Sequence, residues 1–503
     1  MTSESESKPR RRKRLNIVDL LRPHTKALAL GFLAVVGEGA ANLLEPVPIK
    51  IVLDNVIQSK PLNSGFLNQL VLTTAGDDKL ATLKFAAFLV LAIAALGAIS
   101  SYAQSLITTN VGQWVMHDLR QTVYSHIQKL SLSFHDQTKI GDLITRVTSD
   151  IDAIQSFITS GLLDVLINSL TLVGMVGVMF YLNWRFTLIA LSVAPVLFVV
   201  VYQFRRRIKK ASKKMREKDS EIVSVIEEVF SSIRVVKAFS QERYEQRRFE
   251  EQSLESVEAA LSARKLKATL APLVEVIVAI GTCLVLWFGA RMALNGTLSA
   301  GSLIVFIMYL GKMYKPMQAL SKMTDAYSKA SVGYDRISEI LETERDVKNM
   351  PGAQTAPDFK GKIEFEHVNF SYNEESQVLK DLSFQIEPGQ TAALVGPTGS
   401  GKSTIISLIP RFYDPSSGVV KIDGHDLKTL KQKSVRKQIS FVLQDTVLFN
   451  ATIWHNIAYG KPDATRDEIL KAAELANAHE FIEKMPQGYD TMVGERGLTL
   501  SGG

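Results

Sequence analysis

The segment Gly396-Pro397-Thr398-Gly399-Ser400-Gly401-Lys402-Ser403-Thr404 sets glycines, a lysine and a hydroxyl at the spacing G-x-x-x-x-G-K-[ST]. Those residue types in that order suit a phosphate chain. Gly396, Gly399 and Gly401 let the backbone curl until its N–H groups face an anion. The N-terminus of a following helix adds partial positive charge. Lys402 is spaced to reach β- and γ-phosphates, and the Ser403 hydroxyl to ligate Mg2+. A bare Gly-rich turn with an exposed lysine is the bland alternative. Context argues against it: the apolar run AALV precedes the motif and KSTIISLIPRFY, a helix-like stretch, follows it.

The elements around the motif read as an α/β module. KIEFEHVNFSY alternates apolar and polar residues, a strand signal. DLSFQIEPGQTAALVG reads as strand, Pro-Gly turn, strand, and ISFVLQD as a short buried strand. VVKIDGHDL carries Asp423-Gly424, a hairpin turn. From Ala464 the pattern turns helical, with Thr465 and Glu468 spaced as a capping box.

Upstream the composition changes. The 503 residues are 46% hydrophobic and 22% charged, and a mean hydropathy of +0.09 suggests a membrane part joined to a soluble part. Six apolar stretches, about 27–54, 82–108, 157–182, 186–204, 269–292 and 299–320, are long enough to cross a bilayer. A cleaved leader fits the first stretch poorly, because its apolar pattern continues to Leu53. The net charge of +7 is concentrated beside the spans, in KPRRRKR (8–14) and RRRIKKASKKMREK (205–218). That placement favours cytosolic flanks of membrane helices over a nucleic-acid surface. Both termini are then cytosolic and the loop 55–81 is outside. Segments 109–156 and 204–268 read as helices running on into the cytosol, each turning back near 133–142 and 230–235. The lone cysteine, Cys283, makes no internal disulfide, and its apolar surroundings suggest packing.

With these residues in place, the C-terminal part resembles the nucleotide-binding domain of ATP-binding-cassette (ABC) proteins. Tyr372 in NFSY resembles the aromatic that stacks on adenine. Gln444 in FVLQD resembles the glutamine that touches Mg2+ and the attacking water. GERG (494–497) resembles the segment that contacts the helical loops of exporters, and Leu500-Ser501-Gly502-Gly503 resembles the signature motif. The N-terminal part resembles the exporter-type six-span domain, with GDLITRVTSD (141–150) and VVKAFSQE (235–242) similar to its two coupling loops.

The resemblance implies a membrane α-helical domain of six spans with long cytosolic helical extensions, followed by an α/β P-loop cassette that is C-terminally incomplete. The expected domains are a basic tail (1–26), the transmembrane domain (27–345), a linker (346–361) and the partial cassette (362–503). It implies ATP and Mg2+ as cofactors and a second half-transporter chain as partner, in a homodimer or heterodimer. The motif 396–404 of one chain would face the LSGG of the other across each ATP. The expected place is a bacterial inner membrane, and the cargo a lipid, drug or peptide; nucleic acid is not a partner. The family's hydrolytic machinery continues past LSGG with an apolar strand ending Asp-Glu and a later histidine. Glu495, His455 and His479 lie off-motif. The chain as written is therefore expected to be a fragment without hydrolytic activity. A degenerate ATP-binding regulatory subunit of a heteromeric transporter is the alternative.

Intramembrane acids are costly and usually face a cavity. Glu38 and Glu45, seven residues apart on one helical face, with Asp164 and Glu275, allow a cavity for cationic amphiphiles; helix ends and interhelical bonds are the plainer explanation.

Overall fold

The computed structural model describes residues 22–59, 69, 73, 78–373, 376–443 and 447–494. The basic tail before Arg22 lies outside them. The chain divides into two compact units, one of Met1–Leu130 with His135–Glu344, the other of Ser131–Phe134 with Arg345–Gly503.

The first unit is helical. Helix α1 (Thr25–Leu44) stops before Pro46 and Pro48, which cannot donate backbone hydrogen bonds. The chain resumes as Val47–Ile51 and widens into a π turn, Val52–Ile57. Helix α2 (Lys79–Lys129) opens on Asp78, whose carboxylate accepts from the backbone N–H groups of Leu80 and Ala81. Short helices and two further π turns, Arg146–Asp150 and Phe157–Gly161, lead into α3 (Leu162–Leu182). After Trp184–Leu191 come α4 (Val193–Ser231), α5 (Glu242–Leu294) and α6 (Ala300–Glu342). The long helices cover the predicted cytosolic extensions, and the chain turns at Ser131 and Ser232, inside or beside the predicted breaks.

Two large apolar clusters and a small one around Ile51 and Ala86 lie in this unit. One face of α2, at Val111, Val115, Leu119, Val123 and Ile127, packs on Ile151, Ile154, Ile337 and Ile340. The spacing of four is a single helical stripe. The other cluster joins Met175, Phe186, Val285, Phe306 and Tyr309, with the Phe186 and Phe306 rings 4.6 Å apart. Among the described residues five helical segments are long and apolar enough to cross a membrane: Arg22–Ile57, Lys79–Lys129, Ile140–Leu182, Trp184–Ser231 and Glu242–Leu294. The sixth predicted stretch is helical too, in α6, but Lys312 and Lys315 dilute its apolar character. Helix α6 packs among its neighbours at Val305, Phe306 and Tyr309, which are nearly or fully buried. Cys283 is exposed on α5, which corrects the packing expectation. In a membrane helix an apolar run faces lipid as readily as protein.

The second unit holds an antiparallel sheet in the order β2-β1-β3-β4: β1 (Ile363–Asn373), β2 (Ser376–Ile386), β3 (Ser417–Ile422) and β4 (His425–Asp426). Phe365 pairs with Phe384 on one side and Val420 on the other, and the two phenylalanine rings stack at 4.6 Å. Asp423 and Gly424 both take positive φ, 50° and 77°, the conformation a tight two-residue hairpin needs. A second pair, β5 (Ala451–Thr452) with β6 (Met492–Val493), lies beside the helices from Ile453 onward. The capping box at Thr465 and Glu468 is formed, starting the helix Arg466–Leu475.

Two expected strands are not formed. Residues 391–397 and 439–443 form no strand ladder, and Val395 and Val442 are 93% and 97% exposed. Central strands of a sheet are stabilised from both edges. Among the described residues none flanks either segment, so apolar sequence alone does not make them strands.

Candidate phosphate site

The glycine-rich turn closes onto helix α7 (Lys402–Leu408), with Gly401 as its N-cap at φ 87°. Gly399 also has φ 87°. Gly396 does not share the left-handed backbone; a Cβ there would stand 2.9 Å from Ser400 Oγ, so its smallness is what the turn uses. The Lys402 ammonium donates to the carbonyls of Gly396 at 2.9 Å and Pro397 at 2.8 Å, and lies 3.4 Å from Ser400 Oγ. It thus crosses the mouth of its own turn, holding a positive charge beside the positive end of α7. Thr398 sits in the turn itself, and the Ser403 side chain is exposed on the first turn of α7.

Helix α7 is held from below. Thr404 and Leu408 are buried, Leu408 in the core of β1, β2 and β3. The Tyr372 hydroxyl, at the end of β1, lies 3.0 Å from Thr404 Oγ1. Its ring meets Phe370 and Tyr413 edge-on, at 4.8 and 5.2 Å. Tyr372 is 45% exposed.

Two arginines that sequence reading did not single out fix the far end of α7. Arg411 is 2% exposed, pairs with Asp414 at 2.7 Å and donates to the carbonyl of Lys348 at 2.9 Å. Arg436 donates to the carbonyls of Pro410 and Arg411 at 2.9 and 2.7 Å. Burial, then the charge of Arg411, lowers the Arg436 pKa from its ordinary value. Guanidinium donors satisfy the carbonyls that a helix end leaves open. Nothing in RFYDP or SVRKQ marks these residues in advance; their role follows from chain reversals that only the fold reveals.

Gln444 and the run Leu500-Ser501-Gly502-Gly503 lie outside the described residues, as does most of GERG. The site therefore brings together 396–404 and Tyr372. Ser403 offers an exposed hydroxyl, and among the described residues no carboxylate is hydrogen-bonded to it. That fits Mg2+ carried mainly by phosphates and water, with few protein ligands. Among the described residues no three histidine, cysteine or carboxylate groups converge as a metal cage.

In the helical unit, Glu38 and Glu45 line one cleft of about 460 Å3 with Asn42 and Ser101, between α1 and α2. Glu45 is paired with Lys312. Glu275 lines a separate groove of about 610 Å3 with Thr282, Cys283 and Tyr314. Asp164, in the first turn of α3, is absent from the walls of both cavities.

Residues 28–317 match the ABC transporter transmembrane region, and residues 379–503 match the ABC transporter family. The uncharacterized ABC transporter ATP-binding protein YknV of Bacillus subtilis is 37% identical over 97% of this chain and 78% of its own length. A second B. subtilis protein, YgaD, named for multidrug export as an ATP-binding/permease protein, is 33% identical over 97% of this chain and 82% of its own length. A bacterial Atm1-family ABC exporter solved with ATP bound superposes with a TM-score of 0.73 at 27% identity, covering 96% of this chain and 82% of that one.

Proposed function

The chain belongs to the ABC transporter family, with transmembrane region and ATP-binding cassette fused in one polypeptide as in exporter half-transporters, and from that premise we propose how its residues divide the work. It is a multi-pass integral membrane protein, and its activity is ATP-driven export.

In our reading the N–H groups of 396–404 wrap the phosphates of ATP, with Lys402 turning from its own carbonyls onto the β- and γ-phosphates. Ser403 and Gln444 hold Mg2+, Gln444 also touching the attacking water. Tyr372 stacks on the adenine. Leu500, Ser501, Gly502 and Gly503 reach the ATP of a second half-transporter chain, identical or not. The γ-phosphate supplies the difference in affinity between open and closed cassettes that any ligand-driven switch requires. Segments 141–150 and 235–242 pass that difference to the spans, giving alternating access. The domains divide as a tail to 26, a transmembrane domain to 345, a linker to 361 and the cassette from 362. From the Lys and Arg beside the spans we infer that both termini are cytosolic, and we take the membrane to be a bacterial inner membrane.

The observation that carries the site is the Lys402 ammonium held at the mouth of a left-handed glycine turn, at the N-terminus of a helix. In the purified protein, Lys402→Ala should weaken binding of Mg2+·ATP roughly ten- to hundredfold, the worth of a charge-assisted hydrogen bond. Melting temperature without nucleotide should hold, because the lysine bonds only to its own turn. Unchanged ATP affinity would move the nucleotide elsewhere.

A further inference from the structure

The helical unit holds a cavity of about 880 Å3 whose lining comes from α3, α4, α5 and α6. Its wall has two characters. Leu172, Phe198, Tyr202, Leu270 and Tyr314 make an apolar and aromatic floor, with the Phe198 and Tyr202 rings stacked at 6.3 Å and 15°. Arg205, Lys267 and Lys322 bring three cations to the wall, against one lining carboxylate, Asp325. Asp325 lies 3.6 Å from Arg205. Three cations less one acid leaves an excess of two positive charges.

The positions of the cations along their helices show which end of the cavity is charged. Arg205 follows the fourth apolar stretch by one residue, Lys267 precedes the fifth by two, and Lys322 follows the sixth by two. All three stand at the boundary that the Lys/Arg bias assigns to the cytosol. The aromatic floor continues from there into the apolar stretches. Two lining helices carry an internal proline at this depth: Pro272 in α5, two residues after Leu270, and Pro316 in α6, between Tyr314 and Met317. A proline removes one helical hydrogen bond, and membrane helices tolerate that where backbone lines a cavity or neighbours re-satisfy it.

We propose that this cavity takes an amphiphilic anion, its head group at Arg205, Lys267 and Lys322 and its alkyl or aryl tail among Phe198, Tyr202 and Tyr314. The proposal rests on the export reading and names the cargo class that the cavity accepts from the cytosolic side. A cationic amphiphile fits it poorly, since the charge excess is of the wrong sign. The acidic cleft offers the cation less than its residues suggest, because Lys312 already neutralises Glu45.

The test uses the protein in nanodiscs of zwitterionic phosphatidylcholine, with dansyl-undecanoate as a fluorescent probe. Dodecyl phosphate should displace the probe and dodecyltrimethylammonium should not. Arg205→Gln and Lys267→Gln should each weaken dodecyl phosphate roughly three- to tenfold, between the worth of an exposed pair and that of a charge-assisted bond. Lys267 is exposed, so its replacement spares the fold, and Lys267→Glu should raise the relative affinity of the ammonium amphiphile. Equal displacement by both head groups, or an unchanged preference in all three variants, overturns the proposal. Phosphatidylglycerol in the discs distinguishes the sources. Competition names a bilayer lipid as the anion and its absence names a free amphiphile, and either supports the site if the charge preference holds. Lys402→Ala separates this proposal from the reading it rests on. Mg2+·ATP should shift amphiphile affinity in the wild type and not in that variant. Charge-selective binding that ignores ATP in the wild type would leave the cavity its ligand and remove its link to export.

Discussion

The Tyr372 hydroxyl and Thr404 Oγ1, 3.0 Å apart, join the end of β1 to the first turn of the helix behind the glycine loop. An aromatic on a strand is thereby tied to the element that presents Lys402 and Ser403. The ring proposed to stack on adenine and the helix proposed to hold the phosphates are thus joined by one contact.

Replacing Tyr372 separates the two contributions. Tyr372→Phe keeps the edge-on contacts with Phe370 and Tyr413 and loses only the contact with Thr404, so ATP affinity should fall little. Tyr372→Ala also removes the face offered to adenine and should lose roughly 1–3 kcal/mol of binding, the range for a base on an aromatic ring. Titration with a fluorescent ATP analogue distinguishes them. Equal losses in the two variants would assign the effect to the hydroxyl and withdraw the stacking role.

Gly399 and Gly401 share a φ of 87° but not their surroundings. A Cβ at Gly399 meets open space, whereas one at Gly401 would stand 2.7 Å from Leu379 Cδ2 and 3.3 Å from Val378 Cγ1. Gly399→Ala should cost about 1–2 kcal/mol, the left-handed backbone penalty. Gly401→Ala should add roughly 1–3 kcal/mol of overpacking against β2. Denaturant midpoints of the cassette transition should therefore fall further for Gly401→Ala. A larger loss at Gly399 would contradict the geometry.

What the sequence made legible follows from how local each signal is. The glycine turn, the Asp423-Gly424 hairpin and the Thr465 capping box are settled within a few residues, and all three are formed. The β1 and β2 strands carry their own alternation and pair with each other. TAALV and SFVL are as apolar as those strands yet remain without ladders, because a central strand depends on neighbours that its own residues do not encode. The same reason hides Arg411 and Arg436. Their value lies in carbonyls contributed by Lys348, Leu427 and Pro410, brought near only by folding. In the spans, length was readable but orientation was not: Cys283 looks like core by composition and faces outward in the structure.

Asp423 makes the cassette sensitive to acid. Its carboxylate accepts from the backbone N–H groups of Lys360 at 2.5 Å and Lys362 at 2.9 Å, with Gly361 at 3.2 Å, so it ties the start of β1 to the β3–β4 hairpin. Desolvation is the largest single influence and pushes its pKa up, but the donors at Lys362, Lys360 and Gly361 together outweigh it and hold the carboxyl below its ordinary value. A carboxyl with a depressed folded pKa stabilises fully above its unfolded value of about 3.9, and that contribution disappears as pH falls through the folded value. Cassette melting temperature should therefore decline below about pH 4 through this residue. Asp423→Asn should be less stable at pH 7 and show a shallower decline on acidification. A parallel pH profile in the variant would place the acid sensitivity in other carboxylates.

A buried cluster in the helical unit gives the sharpest test of its packing. Asp54, 2% exposed, belongs to the π turn Val52–Ile57 and accepts from Ser299 Oγ and the backbone N–H of Gly301, both at 2.8 Å. It thereby caps the N-terminus of α6, where a negative charge is favoured by the helix dipole. Lys50, 5% exposed, stands 4.0 Å from it. A Cβ on Gly301 would approach Asp54 Oδ1 to 2.7 Å, so the carboxylate sits where only a glycine leaves room. Removing one partner of a buried pair strands the other charge, at about 3–5 kcal/mol, whereas replacing both with apolar groups is often nearly neutral. Asp54→Ala alone should therefore lower the melting temperature of the detergent-solubilised protein sharply. Adding Lys50→Met should restore much of the loss, though not the donors of Ser299 and Gly301. Additive losses in the double variant would show that Lys50 and Asp54 do not share their burial, and that the carboxylate acts on α6 alone.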